Sequence, residues 1–191
     1  MQKNIKIRNN IEIQIDYDED SDNPILNHDD LKIRLTHKKL NFVDNLKDKY
    51  DFSKCQSFKE EVELVINKET EKVFYIDLYN HSCLRLTATE EYSTAHGWDN
   101  GLLGYIIAPK DITLQFMQSI LKDYNQWLNG EVYSVIISEI KYCECCNHEI
   151  SRHTVKSCGG FYDEDSIMDF IDDTLGLTPE EYKQVINKIQ E

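Results

Sequence analysis

The feature that most constrains the fold is a succession of short apolar patterns that change period along the chain. Apolar and polar residues alternate over 11–15 and again over 31–35, which is the period of half-buried strands. Further strand-like runs are VFYIDLY at 73–79, CLRLT at 83–87, GLLGYII at 101–107 and EVYSVIISEI at 131–140. These runs predict a sheet with antiparallel pairing.

Helical patterns are interspersed with these strands. SFKE at 57–60 has the spacing of a capping box, which predicts a helix that begins near Ser57. A second helical pattern follows Asp111, and Gly130 is placed to end it. Two short helices are predicted after residue 165, the second beginning at TPEE, 178–181. We therefore expect an α+β fold, an antiparallel sheet packed with a few helices, in a single domain that spans residues 1–191.

The composition fits a globular chain of 191 residues. No stretch approaches the roughly 18 apolar residues that a membrane span requires, so no membrane association is expected. The start MQKNIKIRNN has no apolar run behind its basic residues, so we expect no secretory signal. A soluble intracellular protein is predicted, and its six cysteines are then not expected to form a disulfide framework.

Four of these six cysteines, with two of the six histidines, fall in YCECCNHEISRHTVKSCGGFYD at 142–163. Cys143 and Cys146 form a C-x2-C pair, a spacing at which one tight turn directs two thiolates at one tetrahedral ion. His153 and Cys158 follow after a short polar stretch and supply a second pair. The predicted ligands are therefore Cys143, Cys146, His153 and Cys158, in a small zinc-binding loop at about 142–162.

The exact ligand set stays open at this point. Cys145 could replace either neighbouring cysteine, and His148 competes with His153. Sulfur-rich ligation favours zinc over calcium or magnesium, although iron also accepts thiolates. Free thiols or redox chemistry are the alternatives to metal binding. Because four candidate ligands leave no open position for water, the site is predicted to be structural.

The chain is strongly acidic, with 35 acidic residues against 21 basic ones and a net charge of −14. Such a field repels nucleic acid, so we expect no direct nucleic-acid binding, and it attracts basic protein surfaces. The predicted contact surface is one or both of two acidic runs. The first comprises Asp18, Glu19, Asp20 and Asp22, and the second comprises Asp163, Glu164, Asp165, Asp169, Asp172 and Asp173. The alternative interpretation is that both runs are simply solvated loop and helix faces.

Enzyme activity is not expected. Cys83, His96 and Asp99 are residue types that could make an activated thiol, but turn-forming neighbours account for both stretches. No phosphate-binding glycine loop and no serine nucleophile elbow is present.

Four motifs carry a resemblance to known proteins: YIDLYNHSCLRL at 75–86, GWDNGLLGYI at 97–106, YNQWLNGEVYSVII at 124–137 and SCGGFY at 157–162. Over roughly residues 75–162 the chain resembles a family of small proteins from phages and prophages of low-GC Gram-positive bacteria. As a whole, acidic and with its cysteine cluster, it resembles metal-containing type II-A anti-CRISPR proteins of streptococcal phages, which inhibit Cas9.

The resemblance implies a non-catalytic inhibitor that binds Cas9 and blocks target-DNA binding or loading, in the cytoplasm of the infected bacterial host. Cas9 holds its nucleic acids in positively charged channels, which suits an acidic partner. The alternative is a DNA-mimic anti-restriction protein that acts on another host-defence nuclease. The oligomeric state is left open by the sequence.

Overall fold

A computed structural model describes residues 2–8, 10–37, 40–92 and 100–190 of the protein. It contains two antiparallel sheets and four helices, which confirms the predicted α+β class. The chain divides into two compact units, residues 1–22 with 130–191 and residues 23–129. The prediction of a single domain over 1–191 stays a prediction.

The first unit is built on a four-stranded sheet of order β1-β2-β7-β8. Its strands are β1 (Lys3–Ile7), β2 (Ile11–Tyr17), β7 (Tyr133–Tyr142) and β8 (Glu149–Phe161). Two helices, α3 (Glu164–Leu175) and α4 (Pro179–Gln190), follow β8. Isoleucines and valines of β1, β2 and β7 pack against Ile167, Met168 and Ile171 of α3 and Val185 and Ile189 of α4. The alternation over 11–15 therefore belongs to a half-buried strand, as predicted, and its apolar side faces the helices.

The second unit is built on the sheet β3-β6-β4-β5. Its strands are β3 (Lys32–Leu35), β4 (Glu71–Asn80), β5 (Leu84–Thr89) and β6 (Asn100–Pro109), and its helices are α1 (Phe58–Val65) and α2 (Leu114–Leu128). Phe74 and Ile106 belong to the core that includes α2, whereas Tyr75 and Tyr105 belong to the core that includes α1. Both faces of the sheet are thus covered, which explains why β4 and β6 read as nearly continuous apolar runs.

The helix ends follow the capping signals in the sequence. The Ser57 side chain accepts a hydrogen bond from the Glu60 N–H at the start of α1. At the start of α4, Thr178 and Glu181 form two reciprocal hydrogen bonds. Glu181 N–H donates to Thr178 Oγ1, and Thr178 N–H donates to Glu181 Oε2. Gly130, with φ of +69°, follows the end of α2. The predicted starts of α1 and α4 and the end of α2 are confirmed.

An ion pair joins the turn between β1 and β2 to α4. Arg8 Nε donates to Glu181 Oε1 at 2.8 Å, and Arg8 Nη2 donates to Glu181 Oε2 at 3.1 Å. This hydrogen bonding, together with the Thr178 N–H, lowers the pKa of Glu181 from 4.5 to about 2. Because the folded-state pKa is depressed, the resulting stabilisation is present above about pH 4.5 and is lost as the pH falls towards 2.

We therefore expect the melting temperature of Glu181→Gln to depend less on pH than that of the unaltered chain between about pH 5 and pH 2. Thermal unfolding followed by circular dichroism at several pH values measures this dependence. Glu180→Gln, at an exposed neighbouring position, is the matched control and should keep the full dependence. Equal pH dependence of the melting temperature in Glu181→Gln and the unaltered chain would show that the Arg8–Glu181 ion pair does not supply this acid-sensitive stability.

Candidate functional site

The turn between β7 and β8 carries three of the six cysteines. We call residues 143–148 the cysteine turn. Cys143 N–H donates to the His148 carbonyl at 2.8 Å, and Asn147 N–H donates to the Cys143 carbonyl at 2.8 Å. Asn147 has φ of 54°, a left-handed conformation that asparagine tolerates better than most residues. These two bonds close a compact turn at the end of a long hairpin.

The turn brings three sulfur atoms together. The Sγ atoms of Cys143, Cys145 and Cys146 all lie within 4.8 Å of one another. Cys145 and Cys146 are exposed and Cys143 is partly exposed. Three thiols at this separation could hold a metal ion. Among the described residues, this is the group of potential ligands that lie close enough together to share one ion. Such a donor set suits a thiophilic ion, because hard cations prefer oxygen ligands.

Hydrogen bonding within the turn favours the thiolate form of Cys143. Its Sγ lies 2.9 Å from the Sγ of Cys145. Hydrogen bonds from the side chain and N–H of Cys145, and then from those of Cys146, lower the pKa of Cys143 to about 7. The same hydrogen bond with Cys143 raises the pKa of Cys145. Because a metal binds the thiolate, this lowered pKa makes Cys143 more readily available as a ligand than a cysteine with the ordinary pKa.

The structure does not bring His153 and Cys158 to the cysteine turn. Both lie in β8, where His153 pairs with Glu139 and Cys158 pairs with Val135 of β7. With about 3.3 Å per strand residue, these positions are roughly 10 Å and 23 Å along β7 from its end at Tyr142. Ligand atoms on one zinc ion lie only about 4 Å apart. The predicted ligand set is therefore divided. Cys143 and Cys146 lie in the cysteine turn, whereas His153 and Cys158 lie farther along the paired strands β7 and β8.

The two alternative ligands from the sequence analysis, Cys145 and His148, differ in their position relative to the sulfur cluster. Cys145 belongs to the sulfur cluster. His148 is in the turn, where its carbonyl accepts the bond from Cys143 N–H, but its ring is not part of the cluster. The sequence analysis expected a short polar loop before His153, within a zinc-binding segment at about 142–162, and so missed β8. A strand was indicated there by Ile150, Thr154 and Val155, since β-branched residues are typical of strands.

The two acidic runs lie in the same unit and adjoin each other at the end of β8. Gly160 N–H donates to Asp18 Oδ2 at 2.8 Å, and Asp18 N–H donates to the Val132 carbonyl at 2.8 Å. The first run thus begins beside Gly160, which lies three residues before the second run and four residues before α3. Glu19, Asp20 and Asp22 of the first run are exposed.

Three carboxylates of the predicted contact surface have structural roles. Asp18 fixes Gly160, as described above. Asp163 caps α3, where its side chain accepts from Ser166 N–H at 2.8 Å. Asp172 Oδ1 accepts from Leu177 N–H at 2.8 Å after the end of the same helix. These three side chains accept hydrogen bonds from backbone N–H groups of other residues and so help to hold the local structure.

The remaining carboxylates of α3 face solvent. Glu164, Asp165, Asp169 and Asp173 are all exposed. Asp165, Asp169 and Asp173 are spaced by four residues and so share one side of the helix. We call Glu19, Asp20, Asp22, Glu164, Asp165, Asp169 and Asp173 together the acidic surface.

An aromatic pair adjoins the acidic surface. The rings of Tyr17 and Tyr133 are 5.4 Å apart, and Tyr17 is 47% exposed. Burial, and then the neighbouring Tyr17, Glu131 and Glu164, raise the pKa of Tyr133. Tyr17 therefore offers an exposed aromatic group next to the carboxylates, a combination that suits protein recognition.

The alternative thiol site is only partly described. Cys83 is exposed, after the end of β4, and His96 and Asp99 lie outside the described residues. Of the resemblance motifs, GWDNGLLGYI also falls partly outside them. No helix among the described residues is long and apolar enough to cross a membrane.

Comparison with known proteins identifies no relative. No protein-family model matches the chain, and neither the curated proteins nor the solved structures contain a significant match. The resemblance to anti-CRISPR proteins therefore stays a prediction from the sequence.

Proposed function

We propose that this chain is an anti-CRISPR protein, an acidic inhibitor without catalytic activity that binds Cas9 and blocks target-DNA binding or loading. Under this proposal it acts in the cytoplasm of the infected bacterial host and does not bind nucleic acid itself. The observation that carries the proposal is the acidic surface on a chain of net charge −14.

The arrangement of the acidic surface supports a basic partner. The carboxylates of Asp165, Asp169 and Asp173 project from one side of a helix whose other side is anchored by Ile167 and Ile171 in the core. A rigid row of carboxylates can occupy a groove that otherwise holds phosphates. Cas9 supplies such grooves, since its guide RNA and its target DNA lie in positively charged channels.

We further propose that the ion held by the cysteine turn is zinc. Thiolates suit zinc well, and a turn with two ligands at C-x2-C spacing is typical of structural zinc sites. Zinc would stabilise the end of the β7–β8 hairpin, and the other end of β8 contains Gly160, which lies beside the acidic surface. No redox or hydrolytic step is needed for this role.

The first experiment is a titration of the purified chain into a guided Cas9 cleavage assay, with elemental analysis of the same sample. We expect inhibition that saturates near one inhibitor per Cas9, because a blocking protein must match its target in number. We also expect zinc to be the metal that copurifies with the chain.

Each departure from this result has a specific meaning. Complete inhibition at a small fraction of one inhibitor per Cas9 would indicate turnover and contradict a non-catalytic mechanism. No inhibition would overturn the Cas9 proposal. Inhibition of a restriction enzyme instead would support the anti-restriction alternative, because both classes of enzyme have basic DNA-binding grooves.

A further inference from the structure

We infer that the cysteine turn is half of a metal site that two copies of this chain complete, each contributing Cys143 and Cys146 to one shared ion. The inference rests on the metal binding proposed above, but not on Cas9 as the partner. It gives the chain a metal-dependent dimer with one zinc ion for every two chains.

The position of the turn allows a second molecule to reach the ion. The cysteine turn is the end of a two-stranded hairpin, and residues 144–160 beyond Cys143 are all exposed. Cys143 and Cys146 lie together on this exposed end. A metal ion bound there has protein on one side and open space for further ligands on the other.

The internal bonding of the turn suggests different roles for its cysteines. The sulfur atoms of Cys143 and Cys145 are in direct contact at 2.9 Å, closer than the roughly 4 Å that separates two ligand atoms on one zinc ion. These two sulfurs are therefore not both at ligand positions, and Cys145 stays outside the pair that has C-x2-C spacing. The C-x2-C pair Cys143 and Cys146 then supplies two thiolates, half of the four ligands that structural zinc takes.

The remaining two ligands do not come from the residues that the sequence suggested. His153 and Cys158 are held in the β7–β8 ladder, opposite Glu139 and Val135. Moving either to the turn would break many backbone hydrogen bonds of this ladder. A second copy instead brings an identical, preformed pair of thiolates with no rearrangement of either chain.

The charge around the turn permits this approach despite the acidity of the whole chain. Over residues 141–152 the two cations Lys141 and Arg152 balance the two carboxylates Glu144 and Glu149. The hairpin end is therefore formally neutral before its thiols ionise, whereas the complete chain carries −14. Two chains that meet at these ends keep most of their like charges apart, which limits the repulsion between them.

An exposed apolar side chain lies beside the turn as well. Ile150, the second residue of β8, is 67% exposed. A twofold contact between two hairpin ends would cover Ile150 of both chains around the metal ion. Closed twofold dimers are the commonest form of association between identical chains, and they place the same residues on both sides of the axis.

The test is a measurement of zinc content and molar mass on the full chain kept under reducing conditions. Elemental analysis gives zinc per chain, and light scattering after size-exclusion chromatography gives the mass. We expect about half a zinc ion per chain and twice the chain mass of 22.5 kDa. A chelator should return the mass to that of one chain, and added zinc should restore the dimer.

Four single-residue variants make the assignment specific. Cys143→Ser and Cys146→Ser should each abolish the zinc-dependent dimer, whereas Cys83→Ser, at an exposed cysteine outside the cluster, should behave as the unaltered chain. His148→Ala is expected to keep both dimer and zinc content. Loss of zinc in His148→Ala would overturn the inference, because it would show that the turn completes its own ligand set.

The failure of the shared site and the failure of metal binding are distinguishable. One zinc ion per chain, in either a monomer or a dimer, would overturn the shared site and leave the proposed metal binding intact. A folded chain that retains no zinc when dialysed against micromolar zinc would overturn both. Either result leaves the Cas9 titration unaffected as a test of function.

Discussion

The variant Asp165→Asn, Asp169→Asn, Asp173→Asn is expected to require roughly ten times more protein for half-maximal inhibition of Cas9, which corresponds to about 1.4 kcal/mol of binding free energy. These three carboxylates lie along one side of α3 and are exposed. None of the three belongs to the caps that hold the helix, unlike Asp163 and Asp172. The loss should shrink at high salt, because the attraction it removes is electrostatic.

The fold should tolerate these substitutions. Asp165 is in the first turn of α3, where a negative charge is favourable, whereas Asp173 is in the last turn, where it is unfavourable. The two changes are therefore expected to offset each other in the free energy of unfolding. A melting temperature close to that of the unaltered chain would show that any loss of inhibition reflects binding.

A matched control distinguishes the contribution of the acidic surface to inhibition from that of the total net charge. Asp48→Asn, Glu69→Gln, Asp111→Asn removes three exposed carboxylates from the second unit and changes the net charge by the same amount, from −14 to −11. We expect this variant to inhibit nearly as well as the unaltered chain. Equal losses in both variants would show that net charge alone matters, and no loss in either would remove α3 from the contact surface.

Replacement of Gly104 by alanine is expected to cost about 3 kcal/mol of stability in the second unit. A Cβ atom at Gly104 would lie 1.9 Å from the carbonyl oxygen and 2.9 Å from the carbonyl carbon of Arg34. These are backbone atoms of β3, so the strand must shift to make room. That shift would also disturb Arg34, whose guanidinium pairs with Asp44 and Glu61.

Urea unfolding of the full chain measures this effect. Gly130→Ala is the matched control, because it adds the same methyl group where no heavy atom lies within 4 Å. Its φ of +69° should cost only about 1 kcal/mol. If Gly104→Ala were no less stable than Gly130→Ala, β3 would not be held against β6 as described.

The sequence predicts the fold class because most strands and helices carry their own local signal. β2 alternates, β4 and β6 are rich in apolar and aromatic residues, and α1 and α4 begin at capping boxes. β8 carries β-branched residues but no alternation of apolar and polar residues, since its residues from Glu149 to Gly160 are exposed on both faces. Without burial there is no alternation for a pattern to reveal.

The expected metal ligands are set apart by the strand that the sequence analysis missed. A polar loop after Cys146 could return His153 and Cys158 to the ion, but a strand carries them steadily away from it. The C-x2-C pair stays together, because both of its members lie within one turn. Ligands that depend on tertiary pairing could not be inferred from spacing alone.

The irregular pairing of β8 has a consequence for the behaviour of the chain at high concentration. Thirteen residues of β8 run beside ten of β7, and the register shifts three times between them. A long, exposed edge strand would ordinarily invite further strands to add to it and start fibrils. Each irregularity bends the strand and interrupts the regular row of N–H and C=O groups that such growth requires. The hairpin can therefore extend into solvent without acting as a template for aggregation.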